Sequence, residues 1–132
     1  MTVADIVVLR ILYLATVIGV GGAGAVVLFA PKVADQRLFY GAVRIDAYTR
    51  IIGAVWLGLG VIAAVGLLHP REMTAVLLVQ LVYKAIWLAA GAAPALISGK
   101  RDTGLLLLTV LYIVWALGIL LLFPFAAVFG GA

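Results

Sequence analysis

A single lysine interrupts an otherwise uncharged helical stretch. Lys84 lies about eleven residues into an apolar run of roughly 25 that starts at Met73, and about 20 residues of helix suffice to cross a bilayer. A lysine facing lipid at that depth costs on the order of 2.5–3.5 kcal/mol, and its stem reaches only part of the way to an interface. The ammonium therefore faces a protein interior, a polar cavity or a partner chain. Gln80 is four residues before it and Trp87 three after, so both share its helical face, and Tyr83 lies alongside, four residues before Trp87. An ammonium among an amide, a phenol and an indole has the equipment to bind an anion, hold an ion or move a proton. The same patch also reads as a structural lysine capped by hydrogen bonds from neighbouring helices.

Two further groups of residues extend that patch. Trp56 and Trp115 fall, like Trp87, near the middle of apolar stretches, whereas membrane tryptophans usually gather at the interfaces. Three indoles at similar depth can line one pocket around Lys84 as cation–π partners, or fill space between helices and lipid. Asp46 and Arg50 are four apart on one helical face. They make either an interfacial ion pair worth a few tenths of a kcal/mol or part of a binding site. In the second case Arg50 and Lys84 form the basic end of a pocket for an anionic head group, with Asp46 orienting the arginine and Tyr48 offering a hydroxyl. Arg10, with Tyr13 three residues on, reads as an interfacial residue that snorkels.

Much chemistry is excluded. The chain has no cysteine and one histidine, His69, so thiolate metal sites, disulfides and cysteine nucleophiles are absent. A zinc or haem site would need ligands from elsewhere. No glycine-rich phosphate loop, paired carboxylate or serine–histidine spacing occurs, and no motif indicates a cofactor. The net charge of +4 is spread over loops instead of one basic face, so no nucleic-acid partner is expected.

The elements that position these residues are helices in a bilayer. Of 132 residues, 67% are hydrophobic and 11% charged, far from the roughly one-quarter charged of soluble domains, and mean hydropathy is +1.34. Four apolar stretches predict helices over approximately 5–30, 44–68, 72–97 and 103–128, and lipid requires backbone groups to be paired within each helix. The expected architecture is all-α, a single integral membrane domain built as a four-helix bundle with antiparallel up-down topology. Met1 to Leu9 holds Asp5 and no basic residue, which argues against a cleaved signal peptide.

His69-Pro70-Arg71-Glu72 reads as a tight turn with Pro70 opening the third helix. Ser98 to Asp102 reads as a glycine stop and polar turn. Lys32 to Arg50 reads as a loop or as an interfacial segment dipping Leu38, Phe39, Val43 and Ile45 into lipid. Pro94 and Pro124 are candidate kinks. Small residues recur at four-residue spacing as Ala15/Gly19/Ala23, Ala54/Gly58 and Ala85/Ala89/Ala93, a pattern that lets membrane helices approach closely. Six basic residues on the first and third loops, against Arg10 and Arg71 on the other side, predict those loops in the cytoplasm and both termini outside.

A first helix ending in Pro31, Arg50-Ile51-Ile52-Gly53-Ala54 opening the second, the His69-Pro70-Arg71 turn and Tyr83-Lys84-Ala85-Ile86-Trp87 in the third resemble small bacterial four-helix membrane proteins of the DoxX-like and BphX-like kind. The resemblance implies a multi-pass protein of the bacterial inner membrane and, since some DoxX relatives accompany quinone-linked oxidoreductases, a redox-associated subunit as one option. It carries no residue-level site. The leading expectation from the residues is a protein that binds or translocates a small amphipathic or anionic molecule at Lys84, with no catalytic residue assigned. A scaffold subunit of a larger membrane complex, or a homo-oligomer, is the main alternative, and an enzyme or redox subunit acting on a lipid-soluble substrate such as a quinone is the second.

Overall fold

The structure, a computed structural model, describes residues 1–42 and 44–130, and among them it is all-helical. Helix α1 runs Val3–Phe29. It starts at Thr2, whose hydroxyl accepts the Asp5 amide (3.1 Å) while the Asp5 carboxylate accepts the Thr2 amide (2.8 Å), a reciprocal cap for two orphan donors. Its middle, Thr16–Gly21, widens to a π-helical turn. A shorter helix, α2, covers 31–38. Then come α3 (Arg50–Leu68), α4 (Ala75–Ile97, with a π segment at Leu88–Ala92), α5 (Thr103–Leu122) and α6 (Phe125–Phe129). The helices α1, α3, α4 and α5 are each long and apolar enough to cross a membrane.

Several boundaries differ from expectation, each for a local reason. The second long helix begins at Arg50, not 44. The Asp46 carboxylate accepts the Tyr48 and Thr49 amides (3.0 and 2.9 Å), and the Thr49 hydroxyl donates back to the Arg44 carbonyl (3.1 Å), side-chain bonds that compete with helical ones. Val43, one of the residues expected to dip into lipid, lies outside the described residues. Pro70 does not open the third helix: 70–74 are turns and α4 starts at Ala75, with the Pro70 carbonyl taken by the Tyr13 hydroxyl at 2.8 Å. The fourth long helix stops at Leu122, not 128, because Pro124 holds Phe123 extended (ψ 129°). Pro124 thus ends a helix instead of kinking one, while Pro94 follows a π segment that loosens the turns before it.

Helix α1 packs along α3 through glycines. A β-carbon built on Gly60 would stand 2.6 Å from the Gly21 Cα, one on Gly53 would meet Val27 at 2.7 Å, and one on Gly66 would meet the Tyr13 ring at 2.8 Å. Buried Gly53, Trp56, Gly60, Ala63 and Gly66 make the contact face of α3. The expected small-residue ladders are mostly not the contacts. Ala54 and Gly58 are exposed, as are Ala85 and Ala89; of the first ladder Ala15 is exposed, Ala23 packs on a core, and a β-carbon on Gly19 would meet the Trp115 indole. Lipid and core are both apolar, so small-residue spacing does not say which face meets a helix.

Helix α4 packs on α5, whereas α3 and α4 touch more lightly. The structure is therefore two tight pairs, α1–α3 and α4–α5. At one end Leu9, Tyr13, Leu77, Ile119 and Phe123 form a core; at the other, Val20, Val27, Ala34, Trp56 and Tyr112 form a second. Leu38 and Phe39 of the connecting segment pack on this second core instead of dipping into lipid. A reversal at Tyr40 and Gly41, both at positive φ (51° and 74°), turns the chain away from it.

Candidate functional site

Lys84 sits where the two helix pairs face each other. Its position on α4 gives it Gln80 one turn earlier and Tyr83 beside it, and only 1% of it is exposed. The ammonium donates to the Tyr83 hydroxyl at 2.7 Å and to the Gln80 Oε1 at 3.3 Å. Gln80, itself fully buried, donates its Nε2 to the Thr16 hydroxyl at 3.0 Å, and Thr16 donates to the Leu12 carbonyl at 2.9 Å. This is a one-way chain of donors ending on a backbone acceptor. It orients Gln80 so that its carbonyl, not its amide, meets the lysine. It also ties α4 to the π turn of α1, which begins at Thr16.

Aromatic faces complete the shell. The Lys84 Nζ lies 4.4 Å from the Tyr83 ring centre, 5.1 Å from that of Tyr112 and 5.3 Å from that of Trp115. Such contacts contribute roughly 0.5–2 kcal/mol each as the site is desolvated. Trp115 reaches this position because residue 19 is glycine: a β-carbon there would stand 2.6 Å from the Trp115 Cη2. Tyr112 is the hub of the aromatic wall, edge-on to Tyr83 (6.0 Å) and to Trp87 (5.1 Å).

The five Asp and Glu side chains lie elsewhere. Asp5, Asp46 and Asp102 cap their own turns, and neither Asp35 nor Glu72 is among the hydrogen-bond partners of Lys84. A buried ammonium here is satisfied by neutral oxygens and ring faces and, among the described residues, has no carboxylate as a hydrogen-bond partner. Two cavities lie beside this shell, one of them lined by Lys84. A smaller one of about 260 Å³ is lined by Lys84 itself with Gly19, Tyr83, Tyr112 and Trp115, and Arg37 and Phe39 border it on the α2 side. A larger cleft of about 660 Å³ lies between α3 and α5, bordered by Ile52, Val55, Leu105 and Leu108, with Lys100 and Asp102 at the loop end. Phe39, Trp56, Tyr83 and Tyr112 line both. The Phe39 and Trp56 rings stack 6.5 Å apart.

Of the residues singled out from sequence, Lys84, Gln80, Tyr83, Trp56 and Trp115 come together, and Trp87 joins through Tyr112. Arg50 and Asp46 do not. Arg50 is exposed, lines neither cavity and donates to the Leu28 carbonyl at the end of α1, where a cation suits unpaired helix carbonyls. Asp46 is spent on its own turn. The hydrogen bond from the Thr49 backbone, first among several from that turn, holds its carboxyl below the usual carboxylate range. The two therefore form neither the expected ion pair nor the basic end of the pocket. The second cation at the cavity is Arg37. Sequence reasoning passed over Thr16, Tyr112, Gly19 and Arg37. Tyr112 had a signal, since it lies one helical turn before Trp115; Thr16 stands out only as a hydroxyl inside an apolar helix.

No family model, curated protein or solved structure matches the chain. The DoxX-like resemblance therefore rests on its short motifs alone, and the functional argument rests on the geometry of Lys84.

Proposed function

We propose that this is a small multi-pass membrane protein, an antiparallel four-helix bundle, that binds or translocates a small amphipathic anion at Lys84. The topology is supported by the order of α1–α3 contacts: Tyr13, Gly21 and Val27 meet Gly66, Gly60 and Gly53 in turn. The function is carried by one observation, a 1%-exposed lysine that has no carboxylate partner among the described residues and stands on the wall of a cavity. Burying an unpaired charge is among the most expensive things a fold does, and ionisable groups inside membranes are functional by default. An anion entering the cavity supplies the missing charge.

The same burial argues against the scaffold alternative, in which Lys84 pairs with a carboxylate of another subunit. A side chain 1% exposed behind Tyr83, Tyr112 and Trp115 presents no surface to an outside helix. The redox alternative has the resemblance as its support and no geometric feature of its own.

Native mass spectrometry of wild type and Lys84→Met from mild detergent tests this reading. Wild type should release a small molecule that the variant lacks, with both at the same oligomeric state. A variant that loses its oligomer while no ligand is seen in either would make Lys84 an assembly residue and end the proposal. The orientation proposed from charge, with the first and third loops in the cytoplasm of a bacterial inner membrane, is tested by labelling single cysteines at Gln36 and Ser98. Both should be protected from an impermeant thiol reagent in intact cells, while a cysteine at Glu72 is labelled.

A further inference from the structure

An ammonium has three N–H donors. Two on Lys84 are spent on Gln80 and Tyr83, which leaves the third without a hydrogen-bond acceptor, held only among ring faces beside the cavity that the side chain lines. The Tyr83 hydroxyl accepts from Lys84, so its own proton remains to be donated, and Tyr83 lines the same cavity. Two donors 2.7 Å apart fit the two oxygens of one carboxylate, in charge-assisted hydrogen bonds.

Charge narrows the class further. Among the described residues Lys84 is the one buried cation, and a second negative charge on the ligand would stay unbalanced in apolar surroundings. Arg37 borders the cavity but is exposed, so water already balances it; its place is at the entrance, where it attracts an anion. Volume says what the rest of the ligand is. About 260 Å³ falls just short of the usual span for a whole small-molecule site. The adjoining 660 Å³ cleft, lined by aliphatic side chains and sharing Trp56, Tyr83 and Tyr112, takes an apolar chain.

We propose that the ligand is a long-chain monocarboxylate. Its head is held by the Lys84 ammonium and the Tyr83 hydroxyl, and its tail passes the Trp56–Tyr112 wall into the cleft between α3 and α5. This rests on the binding reading above and names its ligand class. Tyr83 is a ligand-contacting residue in this arrangement. Gln80 positions Lys84, and Thr16 positions Gln80.

All three tryptophans of the chain border the site or pack on its wall, so their fluorescence reports occupancy. The protein in zwitterionic phosphatidylcholine nanodiscs is titrated with stearic acid brominated at mid-chain, with its methyl ester and with the matching alkyl phosphate. The acid should quench saturably, and the ester should need at least about tenfold more, as for a lost hydrogen bond to a charged group. Lys84→Met should bring the acid down to the level of the ester. Tyr83→Phe, which keeps the ring and removes only the hydroxyl, should weaken the acid about tenfold while leaving the ester unchanged. Circular dichroism checks that both variants keep wild-type helicity, and Tyr83→Phe decides alone if Lys84→Met does not. An ester that matches the acid, or a phosphate that exceeds it, overturns the carboxylate assignment while leaving a pocket in place. No saturable quenching by any of the three removes the pocket reading as well.

Discussion

If Lys84 is kept for a ligand and not for the fold, the empty protein should be more stable without its polar network. Three variants test this: Gln80→Leu, Lys84→Met and the two together. Gln80→Leu leaves the ammonium with Tyr83 as its remaining hydrogen-bond acceptor, and losing a hydrogen bond to a buried charge costs about 1.5–3 kcal/mol. Lys84→Met removes the buried charge, and replacing buried ionic groups by apolar ones of similar volume stabilises by about 1–4 kcal/mol. It also strands the Gln80 Oε1, at about 1–3 kcal/mol, so the single variant should lie near wild type. The double variant removes charge and amide together and strands no amide: Thr16 already donates to Leu12, and Tyr83 borders both cavities. It should exceed wild type by about 1–4 kcal/mol. Ligand-free protein unfolded by dodecyl sulfate in mixed micelles gives all four stabilities. A double variant less stable than wild type, or single effects that add to within about 0.5 kcal/mol, would make the lysine a structural strut and refute the reasoning.

Gly60 and Gly58 lie two residues apart on α3 and look alike in sequence. A β-carbon at 60 meets the Gly21 backbone at 2.6 Å while one at 58 meets nothing within 4 Å. In the same unfolding assay Gly60→Ala should cost about 1–3 kcal/mol and Gly58→Ala should be neutral or gain up to about 1 kcal/mol. Gly19→Ala should push the Trp115 ring off the ammonium, seen as a shifted tryptophan emission and at least about threefold weaker probe binding. The Asp46 carboxyl is held low by its turn, Thr49 first, so its cap is present above the ordinary carboxylate pKa of about 4 and is lost as pH falls below it. The Tyr48 and Thr49 amide resonances should stay constant from neutral pH down to about 4 and move only below it; a transition near neutrality would contradict the cap.

Much of the site was legible because a charge inside an apolar helix is rare and its helical neighbours follow from spacing. Lys84, Gln80 and Tyr83 needed only the 3.6-residue period, and the mid-helix tryptophans only their depth. Arg50 and Asp46 went astray because i,i+4 spacing shows that two side chains can meet, not what else each can reach. Asp46 had amides of its own turn within reach, and Arg50 had the open end of α1. The glycine seam was misread for a different reason. With both lipid and neighbouring helices apolar, no polar face marks the outside, so which small residues meet a backbone emerges only from the packing of α1 on α3. Arg37 at the cavity depends on the path of α2 and the reversal at Tyr40 and Gly41, which no local pattern in 31–49 announces. The starts of α3 and α4 were set by a side-chain-bonded turn at 44–49 and a captured carbonyl, and only the stop at Pro124 had its cause visible as a proline.

The division into two helix pairs bears on how such a chain enters a bilayer. Synthesis delivers segments from the N-terminus onward, so α1 and α3 emerge first and can close their glycine seam before the lysine helix exists. When α4 arrives, its costly ammonium need not enter bare lipid. The lysine comes in together with Gln80, and the Thr16 hydroxyl that receives Gln80 already stands on the wall of the first pair. In a membrane-inserted chain the earlier half would thus stand ready to receive the lysine helix of the later half.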